Sequence, residues 1–329
     1  MQQNKVLFFG IIGLAILIVI GLLVSRFFLA DTLDLALAEK VSIRIVAAPA
    51  ISSWARQAAQ AFNQRNPNTQ VEIIEAEGLV PAAQFRSGGA TPPPAAWLAE
   101  ATFVVAMAPD SGLQFNDPLS VASTGLAWGA FKSKQDEFNQ RYGGLSWEGL
   151  HAKAVSPENG LRFILASPGN TAEGLAALVS ATAAYSKKQE ISSSDVSQAD
   201  QWLTETFGDN AQTPARPADN FATMRVSAGD AGILSTASWR SARLTENPDF
   251  LISPAQPNVN LDYPLAIFSG AEPVAQQAAL AFRAFLLEES QQAALTNFFL
   301  ERASAAQPGV KADGVAAQRL LNLAERVLP

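Results

Sequence analysis

LRFILASPGNTAEGLAALVSATAAY, residues 161–185, is the stretch on which the fold turns. Leu161 to Ala166 read as a buried strand, and Leu175, Leu178, Val179 and Ala183 recur at the spacing of one helical face. Between them, Ser167-Pro168-Gly169-Asn170-Thr171 form a polar turn that places Asn170 or Thr171 at the N-cap and Glu173 in the first turn. Such a unit leaves unpaired N–H groups and the positive end of a helix dipole at the carboxyl end of a strand. Ligands of open α/β sheets settle in such places. Most strand–turn–helix units bind nothing, so the functional weight comes from similar junctions elsewhere.

Those junctions occur on both sides. Upstream, Val41 to Ala48 alternate as a strand, and Pro49 to Ser53 lead into WARQAAQAFNQR, a helix with Trp54, Ala58, Ala61 and Phe62 on one face. Ser52 or Ser53 is the expected N-cap, Asn66-Pro67 the stop, and QVEIIEA the next strand, giving a right-handed parallel βαβ unit. Residues 78–95 form a Gly- and Pro-rich loop, and AWLAEATFVVAMA reads as a helix followed by a strand. A strand within Asn116 to Phe131 precedes LSWEGLHAK, a short helix starting near Ser146. Downstream of Tyr185 come a second helix in DVSQADQWLTETFG, a helical Phe221 to Val226, a strand at Ala231 to Thr236 and ASWRSARL. The chain closes with a long amphipathic region broken near Glu289-Ser290, and then QRLLNLAERVL.

Composition bounds the chemistry. With 329 residues, 48% of them apolar, the chain can build two compact domains. The net charge of −7 argues against a nucleic-acid partner, which requires clustered Lys and Arg. The absence of cysteine excludes disulfides, thiolate metal sites, a cysteine nucleophile and a lipid-modified N-terminal cysteine. His151 is the one histidine, so histidine metal sites are largely excluded and a Ser-His-Asp triad has a single candidate; its polar context, WEGLHAKAV, reads as solvated or structural. There is no G-x-S-x-G elbow, Walker loop, H-E-x-x-H or EF-hand loop, and the carboxylates are scattered. No catalytic residue, metal or cofactor is expected, and the chain does not read as an enzyme.

At the start, Val6 to Val24 are continuously apolar and long enough to cross roughly 30 Å of hydrocarbon. No A-x-A cleavage motif follows, so residues 1–30 read as a cytoplasmic tip and a retained transmembrane signal-anchor, and residues 31–40 as a spacer. The expected location is the cell membrane, single-pass, with the C-terminal domain extracytoplasmic.

Four passages, in order, resemble the extracellular solute-binding proteins of bacterial transporters, the type 2 periplasmic-binding-protein-like family. They are the opening unit ending in AFNQRNPNTQVEI; LSWEGL followed by LRFILASPGNTAEGLAAL; LDYPLAIF with its Tyr-Pro; and AALAFRAFLLEESQQAALTNFFLERA. The resemblance spans Val41 to about Ala305 and departs from the family in lacking a lipobox cysteine, in keeping an apolar anchor, and in the Gly-Pro-rich segment around Thr91. It implies an α/β, two-lobed clamshell behind an N-terminal transmembrane helix. Lobe one would hold residues 41–120 and 262–329, lobe two residues 125–257, with crossing strands near Leu119 to Trp128 and Val259 to Phe268. A small solute would be enclosed on hinge closure and the closed form recognised by a transporter permease. The fold also admits a second use, as an extracytoplasmic sensor or protein-interaction module.

Within that frame the cleft would be lined by Ser52 and Ser53, Ser123 and Thr124, Asn170 and Thr171, and Ser238, Trp239 and Arg240. Arg240 either pairs with an anion or lies on a solvated helix face; Trp239 either stacks on ligand or packs inside lobe two; Tyr263 is a hinge residue within reach of ligand. Micromolar binding needs about 8 kcal/mol net. Helix dipoles supply roughly 0.3–1 kcal/mol each and hydrogen bonds to a charged ligand about 1.5–3 kcal/mol each, so around five or more converging donors are required after association costs. Donor-rich turns and the lack of an acidic pocket motif favour an anionic solute.

Overall fold

The computed structural model describes residues 40–86, 92–157, 160–305 and 308–328. The expected anchor and most of the spacer lie outside these residues. Among the described residues, no helix is long and apolar enough to cross a membrane.

Thirteen strands are described: β1 (Val41–Ala47), β2 (Thr69–Glu75), β3 (Ala96–Leu98), β4 (Phe115–Ser120), β5 (Thr124–Phe131), β6 (Phe163–Leu165), β7 (Glu190–Ile191), β8 (Ala211–Gln212), β9 (Ala231–Ser235), β10 (Phe250–Pro254), β11 (Asn260–Leu261), β12 (Pro264–Phe268) and β13 (Lys311–Ala312). They build two main sheets. The first has the order β2-β1-β3-β12-β4, with β1 parallel to β2 and β3, and β12 antiparallel to β3 and β4. The second has the order β10-β5-β9-β6-β8, with β6 parallel to β8 and β9, β5 antiparallel to β9 and β10, and β11 added to β5. The chain passes between the sheets twice, from β4 to β5 through residues 121–123 and from β11 to β12 through Asp262 and Tyr263. Val121 donates its backbone N–H to the carbonyl of Tyr263 (3.1 Å), so the two crossings are tied to each other.

The βαβ opening forms because Ile43 and Ile45 on β1 and Trp54, Ala58 and Phe62 on the helix Pro49–Arg65 are all buried against one another's layer. That helix begins earlier than expected: Ala48 is its N-cap and Pro49 takes the first turn, where a missing N–H is harmless. Ser52 and Ser53 are therefore inside the helix and cap nothing. A second correction concerns AWLAEATFVVAMA, which runs as strand then helix: β3 first, then the turn of helix Thr102–Val105.

In the second lobe Trp128, Trp147, Phe163 and Phe207 pack with ring centroids 4.7–6.0 Å apart. Burying side chains of this size stabilises by about 1.5–3 kcal/mol apiece. The expected helices are present at Trp147–Ala154, capped by Ser146, and at Ala172–Ser186, capped by Thr171. The amphipathic C-terminal region is broken as expected, into helices Pro273–Leu286 and Glu289–Ala294.

Residues 308–328, expected with lobe one, pack largely on lobe two. There β13 pairs in parallel with β7, and Arg326 at the end of helix Gly314–Val327 bonds Asp200 at 2.7 Å. The start of that helix meets the first lobe: a Cβ on Gly314 would collide with the carbonyl oxygen of Ala106. The tail thus touches both lobes.

Candidate functional site between the lobes

The helix Ala172–Ser186 points its N-terminus toward the first lobe because Thr171 ends the turn after β6. Thr171 Oγ1 accepts from the Gly174 N–H (3.1 Å) and donates to the Ser167 carbonyl (3.0 Å). Gly174 is required there, since a Cβ would collide with the carbonyl oxygen of Ala166. The free N–H of Ala172 is then aimed across the gap, where it donates to Glu100 Oε2 at 2.6 Å. Glu100 sits just past the end of β3. A carboxylate of one lobe therefore occupies the helix start of the other.

A second helix start lies beside the first. The helix Thr236–Ser241 is capped by Ser235, whose Oγ accepts from the Ser238 N–H at 3.0 Å. Glu173 reaches across to it: Oε1 accepts from the Ser235 N–H (2.7 Å) and from Ser238 Oγ (2.6 Å). Thr124, on the crossing strand, accepts from the Ala237 N–H through Oγ1 at 3.2 Å. Tyr263, on the other crossing, donates its backbone N–H to the Glu100 carbonyl (3.1 Å) and holds φ at +32°. The residue is 1% exposed. Thr124, Thr171, Ser238 and Tyr263 are thus brought together around Glu100 and Glu173.

The electrostatics follow from that crowding. Burial, and then repulsion by Glu173, push the Glu100 carboxyl up to about 7, with hydrogen bonds from the Ala172 and Glu173 amides opposing the rise. Burial and the two carboxylates drive the Tyr263 phenol well above its usual range. Asp262, on the second crossing, ties it to the first lobe: it accepts from the Thr102 N–H (2.7 Å), Thr102 Oγ1 (2.5 Å) and Ser120 Oγ (2.9 Å).

Other expected site residues lie elsewhere or do other work. Ser52 is buried and donates to Glu75 Oε2 (2.5 Å), itself paired with Arg56; Ser53 is exposed. Ser123 is buried and clasps the 301–302 segment, exchanging backbone hydrogen bonds with Glu301 (2.8 and 2.9 Å) and donating Oγ to the Arg302 carbonyl. Trp239 is fully buried, donates Nε1 to the Ala127 carbonyl and packs on Phe221 and Phe250, so it belongs to the lobe-two core. Asn170 and Arg240 are exposed. His151 stacks on Trp202 and bonds Thr206 Oγ1 at 2.9 Å. Sequence reasoning named Glu173 only as a first-turn acid and passed over Glu100; the one available signal was a charge directly after a short, wholly apolar stretch.

Two lobes, two crossings and helix starts facing the gap define the architecture of a periplasmic-type binding protein. The chain belongs to the bacterial extracellular solute-binding protein family, whose model matches residues 43–301. Solved structures share the fold. Iron-bound HitA from Pseudomonas aeruginosa is 16% identical with a TM-score of 0.63, over 88% of this chain and 100% of that one. A Trichodesmium protein, IdiA or FutA, in complex with iron and citrate is 12% identical at 0.63, over 87% and 99%. AfuA from Actinobacillus pleuropneumoniae, with fructose-6-phosphate bound, is 14% identical at 0.61, over 87% and 98%. No curated relative matches the chain.

Proposed function

We propose that this chain is a membrane-tethered, extracytoplasmic solute-binding protein that encloses a small solute between its lobes and presents the closed form to a transporter permease. The observation that carries the reading is the convergence, at the gap, of two helix starts from one lobe with Glu100 and Tyr263 from the other lobe and the crossing. Neighbours of like fold hold iron, citrate and fructose-6-phosphate, which are small solutes. The tether rests on the apolar run Val6 to Val24. An anionic solute reaches the Ala172 amide only in place of Glu100.

The test is a thermal-shift screen of the full chain in detergent against oxyanions, metal ions, sugars, amines and amino acids. A solute at about 100 times its Kd adds about 2.7 kcal/mol of stability. Stabilisation by one class supports the proposal. No shift with any class would leave it without support and turn attention to an interaction module.

A further inference from the structure

Resting on that solute-binding reading, we infer that the gap takes a cationic solute, one presenting an ammonium group to Glu100, Glu173 and the hydroxyl of Tyr263. Three observations lead there. First, the helix-start donors that would attract an anion are already engaged by the protein's own carboxylates, Ala172 N–H by Glu100 and Ser235 N–H by Glu173. The positive ends of both dipoles are thereby answered internally. Second, the carboxylates lack a counter-charge. The charge acting on Glu100 is that of Glu173, and the charges acting on Tyr263 are those of Glu100 and Glu173. No Lys, Arg or His side chain forms an ion pair with either among the described residues. Third, acceptors stand open at the gap. Both hydrogen bonds to Glu173 fall on Oε1, and Tyr263, a residue 1% exposed, makes no hydrogen bond through its hydroxyl among the described residues.

Burial and Glu173 make ionisation of Glu100 unfavourable, and a cation beside the two carboxyls would favour their charged forms. An ammonium carries three donors and a positive charge, matching two carboxylates and a phenol oxygen. An oxyanion would meet two negative groups and have to displace one of them. A metal ion fits less well, because no group of three or more His, Cys, Asp or Glu suited to a metal exists among the described residues.

The experiment is isothermal titration of the full chain in detergent with putrescine, glucosamine and arginine, and in parallel with sulfate, phosphate, molybdate, glucose, magnesium and ferric ion. At least one amine is expected to bind, and Glu100→Gln, Glu173→Gln and Tyr263→Phe each to weaken it, the carboxylate changes by about tenfold or more. Tyr263→Phe keeps the ring and removes only the hydroxyl, so it remains informative if a carboxylate variant fails to fold. Sulfate, phosphate or molybdate binding that is unchanged or tightened in Glu100→Gln would overturn the cation inference while leaving solute capture standing. Binding of glucose or of a metal ion alone would overturn it likewise. Binding of none would overturn both.

Discussion

Glu100 carries the strongest pH dependence at the gap. Its carboxyl sits at about 7 in the folded molecule against an ordinary 4.5. A carboxyl raised on folding contributes stability that is fully present below about pH 4.5 and is lost as pH rises toward and through 7. The loss is bounded at about 3.5 kcal/mol, since each pKa unit corresponds to about 1.4 kcal/mol. Gln at this position keeps an acceptor for the Ala172 N–H and cannot ionise. The melting temperature of Glu100→Gln, followed from pH 4 to 8, is therefore expected to gain on wild type as pH rises; a constant offset across that range would contradict the assignment. Little of this was legible in the sequence. Glu100 is one acid after an apolar stretch, and its partner lies 72 residues away. Ser52 misled for the opposite reason: serine is a frequent N-cap, but here Ala48 holds the cap position and Glu75 takes the Ser52 hydroxyl. Trp239 left two readings open because an aromatic side chain serves a ligand or a core equally well until its neighbours are known.

Among the elements, those with local chemistry at their ends were legible. Ser146 and Thr171 cap the helices that follow them, each accepting from an N–H three residues on. Thr171→Ala removes the acceptor for Gly174 N–H and the donor to Ser167, and is expected to lower stability by about 1 kcal/mol in urea unfolding. A change below about 0.3 kcal/mol would mean that water replaces the cap. The failure at residues 96–105 has a physical cause. β3 is three buried residues, Ala-Trp-Leu, without a β-branched member, whereas the helical turn that follows contains two valines. Placement between β1 and β12 makes the first a strand, and packing overrides propensity in the second.

For the molecule as a whole, the resemblance of four passages to solute-binding proteins implied two lobes, and both crossings fall within the stretches that it implied. The tail was legible as an amphipathic helix, but periodicity says that a face is buried and not which lobe buries it. Gly314 settles part of that question by its close approach to Ala106. Gly314→Val is expected to lift the start of the tail helix from lobe one while β13 and the Arg326–Asp200 pair hold its remainder on lobe two. Hydrogen exchange should then accelerate near residues 102–106 and 311–317 and be unchanged in the second sheet. Unaltered exchange at both segments would show that this contact braces nothing.

That contact has a kinetic consequence. A backbone carbonyl against a residue with no side chain leaves nothing flexible to stretch, so a widening of the gap that moves lobe one away from the tail would part these surfaces in a single event. Solute arrival would then wait on an internal release whose frequency is independent of how much solute surrounds the protein, and the observed uptake rate would level off well before diffusion becomes limiting.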